Sequence, residues 1–119
     1  MSTTETTDDE ASSEQQYEHI VLVAEKPALL DGEERRERVE SVLDEAGGRA
    51  DLPLAGTAFG DDPVHAYVSN PNHYGVDQML NQLKVKSETV YRYRHDYRDG
   101  HLRWARGSHA GTVGEADLP

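Results

Sequence analysis

"ETVYRYRHDYRDGHLRWARG", Glu88 to Gly107, packs five arginines together with Tyr91, Tyr93, Tyr97 and Trp104 into twenty residues. How this stretch folds decides the architecture. Asp99-Gly100 stands between two runs that alternate in character, a strong short-range signal for a two-residue hairpin turn. A hairpin sorts side chains with a period of two. One face then carries Tyr91, Tyr93, His95, Tyr97, Leu102 and Trp104; the other carries Val90, Arg92, Arg94, Asp96, Arg103 and Ala105. The rings are expected to face the core and the guanidinium groups to face solvent.

Upstream, "NPNHYGVDQMLNQLK", Asn70 to Lys84, reads as the start of a helix with Pro71 at its first position and Asn70 as cap, with Asn72 as the alternative cap. Val76, Met79, Leu80 and Leu83 form its apolar stripe. Before it, "VHAYVS" alternates: Val64, Ala66 and Val68 on one face, His65, Tyr67 and Ser69 on the other. Ala55 to Phe59 reads as a short edge strand, because Pro53 and two glycines argue against a central one. "GDDP", Gly60 to Pro63, turns the chain between the two.

At the start of the domain, "EHIVLVAE", Glu18 to Glu25, reads as a strand buried on both faces, since five consecutive apolar residues leave no polar side. A helix follows, with Asp31 as cap and Glu34 completing a capping box. Val39, Val42, Leu43 and Ala46 line one side of it, and Gly47-Gly48 is the expected end.

The element order, strand-helix-strand-strand-helix-strand with an added C-terminal strand, resembles the ferredoxin-like βαββαβ arrangement. That resemblance implies an α+β fold with an antiparallel sheet and two helices on one face. It spans about ninety residues and carries little functional weight, because unrelated functions share the arrangement. The domain is expected over residues 17–106. Residues 1–16 are an acidic, Ser/Thr-rich arm with too little apolar surface to fold, and residues 107–119 are a Gly-rich tail.

The net charge of −11 is unevenly spread. Met1 to Asp62 has five basic and seventeen acidic residues, whereas Lys84 to Arg106 has seven basic and three acidic. Nine of the twelve cations are Arg, and Cys is absent. This composition resembles that of cytosolic proteins from cells holding molar salt, where the Debye length is about 3 Å and a basic patch must act by direct contact. The apolar run Ile20–Ala24 is far too short to span a bilayer, and no leader is evident, so a cytoplasmic protein without membrane contact is expected.

With the rings inward, the open face of the sheet collects Arg92, Arg94 and Arg103, joined by His65 and Tyr67 from "VHAYVS". Three readings of this surface stand side by side. It can contact RNA or single-stranded DNA through phosphate clamping and base stacking. The arginines can pair with nearby acids such as Asp96. The face can also join two copies of the chain or receive a protein partner. The layout is similar to that of RNA-recognition modules, but Ile20–Ala24 lacks the aromatic that their first strand presents. No histidine falls in a metal-ligand pattern, and there is no G-x-S-x-G, thiol or phosphate-cradling glycine loop. A small non-enzymatic binding or regulatory module, with no metal or cofactor, is the expectation.

Overall fold

The computed structural model describes residues 16–60, 63–95, 100–105 and 108–114, and of residues 112–114 the backbone. The chain is a mixed α+β fold: four antiparallel strands and two long helices. Strand β1 (Gln16–Val23) leads through a 3-10 turn at Pro27–Leu30 into helix α1 (Glu33–Arg49). Strands β2 (Leu54–Phe59) and β3 (Pro63–Val68) follow, then helix α2 (Val76–His95) and strand β4 (His109–Gly114). The sheet order is β2-β3-β1-β4.

Period two governs β1 and β3. Ile20, Leu22, Val64, Ala66 and Val68 have no exposed surface and face the helices. Ile20 lies opposite Ala66 and Leu22 opposite Val64, so the apolar halves of both strands meet in register. From α1, Val39, Val42, Leu43 and Ala46 complete this core at helical spacing.

The Glu88–Gly107 stretch departs from the expected hairpin. Residues 88–95 form the last two turns of α2. Its buried positions Met79, Leu83, Ser87, Val90 and Tyr91 make one continuous helical stripe. Two residues apart on a helix is about 200°, so Tyr91 is 1% exposed while Tyr93 is 82% exposed. A strand would have put both rings on one side. Residues 96–99, including the Asp99 half of the proposed turn, lie outside the described residues.

The ferredoxin-like scheme with an added C-terminal strand therefore does not hold as drawn. Residues 90–105 contribute no named strand, and the fourth strand comes from residues 109–114, expected to be tail. β4 pairs antiparallel with β1, Val21 opposite His109 and Ile20 opposite Ala110. An edge strand needs little beyond backbone pairing, so "HAGTVG" manages with Ala110 as its partly buried contact to the core.

Between α2 and β4 the chain runs alongside the end of β1. Ala24 and Trp104 form an isolated antiparallel bridge, and the Glu25 N–H donates to the Arg103 carbonyl at 2.8 Å. Trp104 is 5% exposed, and its indole N–H donates to Ser87 Oγ at 2.8 Å. The Ser87 hydroxyl in turn donates to the Leu83 carbonyl at 2.6 Å. Leu102 is buried beside it in the same core. These contacts pin residues 102–104 against α2.

The helix ends also differ from expectation. The N-cap of α1 is Gly32, at φ 86°, with no side-chain cap; the Asp31 N–H instead closes the 3-10 turn on Ala28. The helix runs through Gly47 and Gly48 to Arg49. It stops in a Schellman arrangement: Leu52 N–H to Gly47 carbonyl at 2.8 Å and Asp51 N–H to Gly48 carbonyl at 3.4 Å, with Asp51 at φ 60°. Gly47 is needed for close approach, since a Cβ there would sit 2.5 Å from the Leu52 carbonyl oxygen. Asn70 organises a loop rather than capping α2: its side chain accepts from the Tyr74 N–H and donates to the Tyr74 carbonyl, both at 2.9 Å. Among the described residues no helix is long and apolar enough to cross a membrane.

Candidate nucleic-acid interface

The sheet face turned away from the helices carries the odd-numbered residues of β1, β3 and β4. His19 lies opposite Tyr67, and Val21 lies opposite both His65 and His109. Strand register alone therefore gathers three imidazoles and a phenol. The His19 and Tyr67 rings stack at 4.6 Å and 7°, and the His19 and His65 rings at 5.0 Å and 23°. A hydrogen bond of 2.8 Å joins His19 Nε2 to His65 Nδ1. His19 is the ring common to both contacts. Tyr67, 9% exposed, backs the stack; His19 and His65 are half-buried.

Burial lowers the pKa of His19 from its ordinary 6.5, and repulsion from His65 and then His109 lowers it further. The stack is thus held by a neutral imidazole. The unfolded chain binds this proton more readily than the folded one, so stability should fall as pH drops through about 6.5 and level off below the folded value. Thermal melts from pH 7.5 to 5.5 measure this, and His19→Gln should flatten the decline. A melting temperature independent of pH in the wild type over that range would contradict it.

The five residues expected to form one surface divide between two layers. His65 and Tyr67 occupy the outer sheet face. Arg92 and Arg94 sit exposed on the last turns of α2, and Arg103 lies on the segment that follows. The expected arginine platform on the sheet is not assembled, because Arg92 and Arg94 are helical and Arg103 lies on the irregular segment after α2. Arg94 ties α2 to α1: its guanidinium donates to Ser41 Oγ at 3.0 Å and to the Ser41 carbonyl at 3.3 Å, and it pairs with Glu45 at 3.4 Å. Arg92 and Arg103 do converge, on a cleft beside α2.

His19 and His109 were missed from sequence. His19 was absorbed into a run read as buried on both faces, and His109 into the tail. The available signal was the single polar ring interrupting Glu18–Ala24 one position before the apolar core begins. Among the described residues, no group of three or more His, Asp or Glu side chains is arranged to hold a metal ion.

The family described as "Transposase IS200 like" matches residues 12–119. The chain belongs to the IS200-like transposase family. Its fold is also similar to the crystal structure of a candidate transposase from Deinococcus radiodurans R1, with a TM-score of 0.64 and 16% identity, over 86% of this chain and 81% of that one. No curated protein matches the sequence. Membership in the IS200-like family agrees with the expected nucleic-acid contact. It overturns the expectation of a non-enzymatic regulatory module, because transposases process DNA. In this IS200-like family member, no helix among the described residues covers the outer sheet face, on which rings are already ordered.

Proposed function

We propose that this IS200-like transposase chain binds single-stranded DNA across the outer face of its sheet, at the His19–His65–Tyr67 stack. The observation that carries the reading is the near-parallel ring ladder, on a face that no helix among the described residues covers. Stacking on aromatic rings needs bases freed from a duplex, and contributes about 1–3 kcal/mol per base. The neutral His19 favours this use, since an uncharged ring stacks without the cost of desolvating a cation. The family supplies the choice of DNA over RNA.

The test is fluorescence anisotropy with a labelled single-stranded oligonucleotide and its duplex, at low salt and at about 1 M KCl. The wild type should prefer the single strand. His19→Ala with Tyr67→Ala should weaken binding by about tenfold or more. Equal affinity of wild type and double variant, with the variant's fold intact by circular dichroism, would remove the sheet face as the binding surface.

A further inference from the structure

Two adjoining hollows lie along α2, away from the outer sheet face. Seven arginines are among the described residues. Arg38 pairs with Glu34, Arg49 with Glu45 and Arg94 with Glu45; Arg36 donates to the Leu30 carbonyl and lies over the Phe59 ring; Arg35 also has a partner. Only the guanidinium groups of Arg92 and Arg103 lack a partner among the described residues. Among the described residues, where the other five arginines are all engaged, these two stand apart.

Both line one cleft of about 110 Å³ between α2 and residues 101–103, shared with Glu88, Thr89 and His101. Glu88 also lines the cleft, and its Oε2 accepts the Trp104 backbone N–H at 2.9 Å, which holds that carboxylate to the segment carrying Arg103. Arg103 is held in place from below, through the buried Leu102 and Trp104 on either side of it. Thr89 also lines an adjoining hollow of about 330 Å³, with Arg49, Val90 and Tyr93. Tyr93 is the most exposed large ring described, and it stands one residue from Arg92.

We propose that these adjoining hollows form a nucleotide-binding step for single-stranded DNA, with a backbone phosphate held between Arg92 and Arg103 and the neighbouring base stacked on Tyr93. The smaller hollow suits a tetrahedral oxyanion and the larger a planar base. Planar guanidinium groups present paired N–H donors that match phosphate oxygens. The site is separate from the outer sheet face and shares with the preceding proposal only the class of ligand.

The experiment compares Arg92→Ala/Arg103→Ala, Tyr93→Ala and His19→Ala/Tyr67→Ala with the wild type in anisotropy titrations of labelled oligo-dT against KCl. Inorganic phosphate and a methylphosphonate oligonucleotide serve as further probes. The arginine pair should weaken oligo-dT binding about tenfold and lower the salt dependence, log Kd against log salt, by about one. Tyr93→Ala should weaken binding about fivefold and leave the salt slope unchanged. Replacing phosphates by neutral methylphosphonates should weaken the wild type far more than the arginine variant. Unchanged affinity and slope in the arginine variant overturn the site, even if the His19/Tyr67 variant fails to bind. Loss of binding in the arginine variant alone upholds it while removing the sheet-face reading. A wild type that responds to inorganic phosphate and not to oligo-dT overturns the assignment to a DNA strand.

Discussion

Trp104→Ala should destabilise the fold by about 3–5 kcal/mol, among the largest losses available to one substitution in this chain. The indole is nearly buried, packs with Leu102 into the common core, and donates to Ser87, itself without exposed surface. Total stability of a domain this size is about 5–15 kcal/mol, so the variant sits close to unfolding at room temperature. Ser87→Ala separates the two parts of the effect. It keeps the ring in place and leaves the indole N–H without its acceptor, which costs about 1–3 kcal/mol. Urea unfolding followed by circular dichroism measures both. Equal, small losses for the two variants would mean that Trp104 does not anchor the segment after α2. Because Trp104 positions Arg103, Ser87→Ala is also the milder way to ask whether the arginine cleft depends on that anchor.

The second large effect contrasts two neighbouring tyrosines. Tyr91→Ala should cost about 3–5 kcal/mol, because a side chain 1% exposed leaves a cavity between α2 and the rest of the core. Tyr93→Ala should change stability by no more than about 0.5 kcal/mol, because its ring lies in solvent. On a hairpin both rings would share one face and the two losses would be alike. Similar large losses for both would restore the strand reading of residues 90–95. The contrast also protects the DNA-binding experiment: a stability-neutral Tyr93→Ala that weakens oligonucleotide binding reports on contact, not on folding.

Why the hairpin reading failed can be seen in particular residues. Val90-Tyr91-Arg92-Tyr93-Arg94 alternates ring and guanidinium, and over so few positions an alternating pattern fits a strand as easily as the end of a helix. The contrary signal was the absence of any Gly or Pro from Val76 to Asp99, which leaves no place for α2 to stop before Tyr91. Ser87 concealed the continuity further. A hydroxyl in the stripe between Leu83 and Val90 looks like a break until Trp104 is seen to occupy its oxygen.

The candidate sites were legible to different degrees. His65 and Tyr67 could be assigned to a face opposite Val64, Ala66 and Val68 from alternation alone. Their partner His19 could not, because choosing it requires knowing that β1 lies beside β3 with His19 opposite Tyr67. Arg92 and Arg103 were singled out for a sheet surface that does not form, and they line one cleft instead. They meet because the chain doubles back after α2, a long-range event that local pattern does not encode.

Local sequence determined the elements whose pattern has one reading: the stripe of Val39, Val42, Leu43 and Ala46, and the alternation of Val64 to Val68. There the period of burial and the period of the backbone agree, so little else can satisfy them. The apolar run of β1 marked a strand but not which of its faces stays open. Tertiary structure decided between two competing local signals that residues 88–95 are helical, and it alone decided that 109–114 close the sheet and that the histidines form a stack. Each of those outcomes depends on a partner distant in sequence, Trp104 for Ser87 and β1 for β4 and the rings, whose burial and backbone pairing outweigh a weak local preference.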